Sequence, residues 1–222
     1  MDKVHTWGPP IWQTTISDSI IKDLLEQGDA IRNHEQFNAE NDLAMNTHDE
    51  WNYTPDFRKW FSQAIRGKLV DYMQIWAKHE DNTFNKWLSY WYIDSLWINY
   101  MQQHDCNPLH DHKGSISFII YLNDVPELET EKQRLNLTNN GPVPGSVMFT
   151  HNDRRKFFFP NKGDFYLFPS NCLHMVVPYK SDVTRISVSG NVIFPTNCQP
   201  LYLSLIHISE PTRPLYIAYA LC

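Results

Sequence analysis

Cysteine is scarce in this sequence, with four residues among 222 and no pair at the CxxC spacing. A disulfide framework needs several cysteines that can pair, and a structural zinc site needs closely spaced ones. The sequence therefore argues against a disulfide framework and against a structural zinc site, and it fits a protein of a reducing compartment.

The chain also lacks a basic excess and a long apolar run. Its 25 acidic residues outnumber its 19 lysines and arginines, which gives a formal net charge of −6 at pH 7, whereas nucleic-acid surfaces need clustered positive charge. No stretch approaches the roughly 18 apolar residues of a membrane span, and the start MDKVHTWGPPIW has no apolar signal core. We therefore expect a soluble, cytoplasmic protein with no membrane partner and no strong nucleic-acid contact.

The last twenty residues stand apart from the rest. The run LSLIHISEPTR at 203–213 resembles the in-frame translation of a transposase adaptor that is used to prepare sequencing libraries. We expect residues 203–222 to be such an artefact and not part of the fold. The preceding residues, 1–202, are enough for a single domain with a sizeable core.

Residues 1–87 are predicted to be mainly helical. Residues 17–27 begin with a serine or aspartate cap and contain spaced isoleucines and leucines, and Gly28 is a candidate stop. Between residues 56 and 79, apolar residues recur every three or four positions, which predicts one helix with an apolar stripe. The polar stretch 29–55 is predicted to be loop or short irregular structure.

From residue 88 onward the apolar pattern has a period of two, which is typical of β-strands. These segments are short, rich in β-branched and aromatic residues, and separated by glycine, proline and asparagine. Many short strands after a helical segment predict an α+β protein, a helix-backed sandwich or barrel for which the jelly roll is the natural candidate. The polar stretch 127–144 is predicted to be a loop that could lie over the mouth of the barrel.

Two histidines and an aspartate precede a strand-like run in the stretch NPLHDHKGSISFIIYLN. Burying such side chains is costly unless they pair or bind something. In extended backbone His110 and His112 point to one side and Asp111 to the other, whereas in a turn His110 and Asp111 can converge. His174 enters a later strand, and alone it would be interpreted as a hydrogen-bonded core histidine. Together with the earlier pair it predicts a facial metal set that leaves positions open for substrate and oxygen.

The later run TRISVSGN predicts a strand with Arg185, Ser187 and Ser189 on one face. An arginine that points into a barrel is costly without an anion to pair with. A guanidinium binds a carboxylate through two hydrogen bonds, and a serine two residues on can add a third. The alternative is a surface arginine on the outer face, and the shared polar face of the strand argues against it.

These motifs together resemble the iron(II)- and 2-oxoglutarate-dependent dioxygenases. The HxH motif at 110–112, His174 and the RxS motif at 185–187 follow the family order of HxD or HxE, then His, then RxS. The YLN motif at 121–123 is similar to one in the prolyl-hydroxylase-like branch. GPPIW, WIN, the HDHKGSISFIIYL block and SVSGN are similar to a group of these enzymes from tailed phages and marine bacteria. The resemblance covers roughly residues 6–195.

The resemblance implies a double-stranded β-helix, the jelly-roll or cupin-like fold, in residues 88–202. It also implies an oxidoreductase that hydroxylates or otherwise oxidises a substrate while 2-oxoglutarate is decarboxylated to succinate. The implied cofactors are Fe(II) and 2-oxoglutarate, with O2, and no catalytic residue is expected beyond the metal centre. His110, His112 and His174 are the expected ligands; because the family pattern has a carboxylate at position 112, Asp111 is the alternative second ligand.

The resemblance also assigns the 2-oxoglutarate site. Arg185, aided by Ser187 and Tyr121, is expected to hold the distal carboxylate of the keto acid. The substrate class stays open among a protein side chain, a nucleotide and a small metabolite, and for a phage-encoded protein the location is the host cytoplasm. Two other functions compete: a non-catalytic cupin-like binding or phage structural module, and a three-histidine metal dioxygenase that does not use 2-oxoglutarate.

Overall fold

The computed structural model describes residues 2–39, 49–79, 91–135 and 142–194. The segment 203–222, expected to be an adaptor translation, lies outside these residues. The described elements, in chain order, are β1 (Lys3–His5), β2 (Ile11–Thr15), α1 (Asp18–Ile31), β3 (Glu50–Asn52), α2 (Pro55–Ala64), α3 (Arg66–His79), β4 (Tyr92–Met101), β5 (Asn107–His110), β6 (Ile116–Tyr121), α4 (Pro126–Arg134), β7 (Val147–His151), β8 (Arg154–Phe158), β9 (Asp164–Pro169), β10 (His174–Val176) and β11 (Arg185–Ile193).

The strands form two antiparallel sheets that pack against each other. One sheet has seven strands in the order β1-β2-β9-β6-β11-β4-β3, and the other has four in the order β5-β10-β7-β8. One apolar cluster joins Ile119, Tyr121 and Phe168 of the larger sheet to Phe149 and Phe158 of the smaller one. The expectation of a β-rich core with helical support is thus confirmed, and the space between the sheets is where the candidate site lies.

The first three helices cover the other face of the seven-stranded sheet. Alternate residues of a strand point to opposite faces, so Ile120 packs on the helices while its neighbours Ile119 and Tyr121 face the smaller sheet. Leu24 of α1 and Phe61 of α2 belong to the same helix-side cluster. This layer fixes the strands that carry the site. Among the described residues, no helix is long and apolar enough to cross a membrane.

Residues 1–87 differ from the helical expectation in two ways. The helix predicted over 56–79 is two helices, because Ile65 leaves helical geometry with φ −100° and ψ 5° between α2 and α3. The N-terminal part also contains β1, β2 and β3, which the helical prediction did not include. These strands have only three to five residues, too few to show a period of two, and pairing with distant strands stabilises them.

The predicted loop over 127–144 is in part a helix. Residues 126–134 form α4, with a proline in its first turn, acidic residues at its start and basic residues at its end. The polar composition was a poor guide because α4 lies on the surface and buries only Leu128. Residues 136–141 lie outside the described part of the chain.

Gly28 is not the stop that the sequence suggested, because α1 continues to Ile31. A Cβ atom at Gly28 would lie 2.5 Å from Ile98 Cδ1 and 3.0 Å from Tyr100 Oη, so glycine allows the helix to approach β4 closely. Gly67 in α3 has no atom within 4 Å of its virtual Cβ. The two glycines therefore provide a matched comparison.

Replacing Gly28 with alanine should lower the free energy of unfolding by about 1–3 kcal/mol, because overpacking outweighs the better helix propensity of alanine. Replacing Gly67 with alanine should raise it by up to about 1 kcal/mol, since only propensity acts there. Urea unfolding of both variants measures the difference. Equal effects of the two substitutions would contradict the close packing of α1 on β4.

Candidate functional site

Three histidines meet at one end of the space between the sheets. His110 ends β5 and lies opposite His174 of β10 in the strand register, while His112 follows in the turn before β6. The ring centroids are 4.3 Å apart for His110 and His174, 4.8 Å for His110 and His112, and 5.0 Å for His112 and His174. One ligand atom from each ring lies within 4.8 Å of the others, which is close enough for all three to bind one metal ion.

Backbone carbonyls orient two of these rings. Nδ1 of His174 donates to the Cys172 carbonyl at 2.9 Å, and Nδ1 of His110 donates to the Pro108 carbonyl at 2.6 Å. A carbonyl can only accept, so each ring carries its proton on Nδ1 and keeps the lone pair on Nε2. This is the arrangement by which metal-binding histidines are usually held.

All three imidazoles favour the neutral form that a metal ligand requires. Burial lowers the pKa of His110, lowers that of His112 to about 4, and lowers that of His174 well below its ordinary value. Neighbouring histidines add to the effect for His112 and His174. At neutral pH the three imidazoles are therefore uncharged, and each has a nitrogen lone pair that can bind a metal ion.

The stability of the protein without metal should fall as the pH is lowered from 7 to 5. The unfolded chain protonates His112 near pH 6.5, whereas the folded protein resists protonation until about pH 4, so acid favours the unfolded state. His112 alone should cost about 2 kcal/mol over this range. Urea unfolding at both pH values checks this, and the dependence should be weaker in His112→Gln. A flat profile for the wild type would contradict the lowered pKa of the His112 imidazole.

Asp111, the alternative second ligand, lies apart from this cluster. Its side chain is exposed, and the group of candidate ligands consists of the three histidines without it. The backbone N–H of His112 donates to the carbonyl of Ser170, the residue after β9, at 2.9 Å, which holds the turn near the end of that strand. The structure thus brings His112 to the other two histidines and leaves Asp111 facing solvent.

Arg185 is buried at the start of β11, with only 3% of its surface exposed. Its guanidinium donates to the Gly145 carbonyl, approaches Met101 Sδ at 3.2 Å and lies 5.1 Å from the ring centre of Tyr121. Among the described residues it forms no ion pair with a carboxylate. A buried positive charge without an acid is costly, and an anionic ligand would offset that cost.

The register of the larger sheet brings the predicted cofactor residues together. Ser187 of β11 pairs with Asn99 of β4 on one side and with Tyr121 of β6 on the other. Arg185, two residues before Ser187 and on the same face of β11, pairs with Met101 of β4. These residues and the three histidines line one cavity, whose described lining is Trp97, Asn99, Met101, Asn107, His110, His112, Ile119, Tyr121, His174, Val176, Arg185, Ser187 and Ser189.

Several polar atoms in this cavity wall are buried without a hydrogen-bond partner among the described residues. They are Trp97 Nε1, Asn99 Oδ1, Asn107 Oδ1, Tyr121 Oη and Arg185 Nε. Buried polar groups are normally satisfied, so such a concentration indicates that the cavity receives a polar ligand. The donors on Tyr121 and Arg185 suit a carboxylate.

The sequence prediction did not include Trp97, Asn99 or Asn107 as lining residues. Alternate residues of β4 point to the same face, so Trp97, Asn99 and Met101 lie together. Once the register with β11 is known, this spacing identifies them as neighbours of Arg185, Ser187 and Ser189. Asn107 lies three residues before His110 and reaches its Nε2 with Nδ2 at 3.5 Å. Neither relation is visible without the pairing of the strands.

Comparison with known proteins connects this geometry to a family. Residues 95–191 match the family described as "Putative 2OG-Fe(II) oxygenase". This segment is therefore similar to the 2-oxoglutarate/iron(II) oxygenases. The matched segment contains the three histidines and the RxS motif that begins at Arg185. No curated protein matches the chain by sequence.

Several solved structures are similar to this chain at low sequence identity. The 2-oxoglutarate complex of a viral collagen prolyl hydroxylase from Paramecium Bursaria Chlorella virus-1 is 12% identical over 82% of this chain and 94% of that chain, with a TM-score of 0.50. HygX from Streptomyces hygroscopicus, with nickel, 2-oxoglutarate and hygromycin B bound, is 8% identical over 86% and 85%, with a TM-score of 0.49. A Pseudomonas putida prolyl-4-hydroxylase is 12% identical over 83% and 92%, with a TM-score of 0.47. The likeness to the viral enzyme shows a shared fold.

Proposed function

We propose that the protein is an Fe(II)/2-oxoglutarate-dependent dioxygenase that hydroxylates or otherwise oxidises a second substrate while 2-oxoglutarate is decarboxylated to succinate. The observation that carries this proposal is Arg185, a buried guanidinium without an acidic partner among the described residues, in the same cavity as three clustered histidines. We assign the two packed sheets to the double-stranded β-helix fold. The similarity of residues 95–191 to the 2-oxoglutarate/iron(II) oxygenase family supports both cofactors.

His110, His112 and His174 are the proposed metal ligands. They are neutral, their candidate ligand atoms lie within 4.8 Å of one another, and carbonyls orient two of the rings. When bound there, iron(II) supplies the oxygen chemistry that protein side chains lack. The protein itself would hold such an ion with three imidazoles from two strands and the following turn, beside the cavity that they line.

Arg185, Ser187 and Tyr121 are the proposed residues for the distal carboxylate of 2-oxoglutarate. Arg185 provides the fixed charge, while the Tyr121 hydroxyl is buried and has no hydrogen-bond acceptor among the described residues. Ser187 lies between Asn99 and Tyr121 in the sheet. These groups would orient the keto acid so that its other end faced the histidines, with Ile119 and Val176 as apolar walls of the same cavity.

The histidine set itself favours a second candidate function. A three-histidine site without a carboxylate leaves the full charge of the metal uncompensated, and such a site can serve a metal dioxygenase that does not use 2-oxoglutarate. That alternative gives no role to the buried charge of Arg185. We therefore place it second.

Calorimetric titration of 2-oxoglutarate into the full chain, with and without iron(II) and in the absence of oxygen, tests the proposal. We expect binding that is much tighter with the metal, because the metal and Arg185 hold opposite ends of one molecule. A protein that binds iron(II) but not 2-oxoglutarate would favour the three-histidine dioxygenase. A folded protein that binds neither would favour a cupin-like binding module.

A further inference from the structure

Trp97 lines the cavity with an indole ring that carries a polar N–H group. The proposed function gives this residue no role. Its side chain is 3% exposed, and its indole Nε1 is buried without a hydrogen-bond partner among the described residues. An indole N–H can only donate, and leaving a buried donor without an acceptor is costly. The cavity is therefore where the acceptor for this N–H is expected.

The strand register places Trp97 at the metal end of the cavity. On β4, Trp97 and Met101 are four residues apart, about 13 Å along the strand, and Met101 pairs with Arg185 whereas Trp97 pairs with Ser189. The Trp97 ring also meets the His112 ring edge-on, with centroids 5.8 Å apart. The cavity thus has the guanidinium at one end and the indole beside the histidines at the other.

We propose that the indole N–H of Trp97 donates a hydrogen bond to the carboxylate of 2-oxoglutarate that adjoins the keto group. This inference rests on the proposed function, in which Arg185 holds the distal carboxylate and the second carboxylate therefore lies towards the histidines. A buried carboxylate needs hydrogen-bond donors. In the cavity wall, the other buried atoms without a partner among the described residues, apart from those of Arg185 and Tyr121, are the amide oxygens of Asn99 and Asn107, which accept.

Trp97 is then a positioning residue that distinguishes a keto acid from other carboxylates. Its hydrogen bond would be lost on any ligand that lacks the carboxylate beside the ketone, even if the distal carboxylate were bound normally by Arg185. The compound 4-oxopentanoate is such a ligand, because it replaces that carboxylate of 2-oxoglutarate with a methyl group and keeps the rest of the molecule. Comparing the two ligands on one variant isolates the contact.

The experiment measures both ligands on iron(II)-loaded full-length protein without oxygen, 2-oxoglutarate by direct calorimetry and 4-oxopentanoate by competition. Trp97→Phe removes the N–H and keeps an aromatic ring. Trp12→Phe is the matched control, since Trp12 is equally buried but packs in the core on the helix side of the sheet. Arg185→Met tests the proposed function itself, because it removes the proposed anchor of the distal carboxylate that both ligands share.

Trp97→Phe should weaken 2-oxoglutarate binding by roughly ten- to a hundredfold and leave the affinity for 4-oxopentanoate unchanged. Trp12→Phe should change neither affinity, and Arg185→Met should weaken both. If Trp97→Phe weakens both ligands equally, or neither, the indole only packs and the inference is wrong. If Arg185→Met weakens neither ligand, the assignment of the 2-oxoglutarate site fails instead, so the two failures are distinguishable.

Discussion

Replacing Arg185 with methionine should weaken the binding of 2-oxoglutarate by roughly a hundredfold or more while the protein stays folded. The guanidinium is buried and forms no ion pair with an acidic side chain among the described residues. A bound carboxylate would therefore be the anion that pairs with its charge. Methionine fills a similar space without a charge, and the free energy of unfolding should stay the same or rise by about 1 kcal/mol. Calorimetry and urea unfolding on the same samples measure the two effects.

Arg155→Met is the control for this variant. Arg155 is exposed on β8, and its replacement by methionine removes the same formal charge from the chain. Arg155→Met should therefore have little effect on 2-oxoglutarate binding. Unchanged affinity in Arg185→Met would exclude Arg185 as the carboxylate anchor. A large loss of stability in that variant would instead indicate a structural role for the guanidinium contact with Gly145.

Replacing His174 should abolish tight binding of iron(II). His174 is 1% exposed, and because its Nδ1 donates to the Cys172 carbonyl, Nε2 is the atom left to bind a metal. We expect the affinity of His174→Gln for iron(II) to fall at least about a hundredfold, since even residues that merely orient a ligand change metal affinity by about 10- to 100-fold. Glutamine keeps most of the side-chain volume, and metal binding is followed by calorimetry without oxygen.

Asp111→Asn is the matched comparison for the metal site. Its side chain is exposed and outside the cluster of candidate ligands, so iron(II) affinity should change little, whereas His112→Gln should behave like His174→Gln. The opposite result, with Asp111→Asn losing the metal and His112→Gln keeping it, would show that the carboxylate is the second ligand. Circular dichroism and urea unfolding establish that each variant is folded.

Much of the fold could be predicted because the relevant signals are local. The apolar stripe of Leu69, Met73 and Trp76 is visible as a helical period, and these residues are buried in α3. Strand β1 could not be predicted, since three residues carry no period and its place in the sheet depends on pairing with β2. The sequence predicts a helix stop at Gly28 because the local preference of glycine is visible there, whereas its close approach to Ile98 is not.

The same distinction applies to the candidate site. His110 and His174 could be grouped from their residue types and strand positions, and the structure places them opposite each other. The position of His112 depends on the turn that follows β5, where Gly114 adopts φ +133°, and spacing alone left it open against Asp111. Trp97 is a lining residue only because β4 pairs with β11, a relation between residues about ninety positions apart.

The most direct test of the account is to add 2-oxoglutarate to the iron(II)-loaded full chain without oxygen and to record the visible spectrum. The account predicts the weak absorption band of a metal-chelated keto acid in the wild type, a weaker band in Arg185→Met at the same concentration, and no band in His174→Gln. A folded, iron-loaded wild-type protein that shows no band at saturating 2-oxoglutarate would contradict the claim that one cavity holds both cofactors.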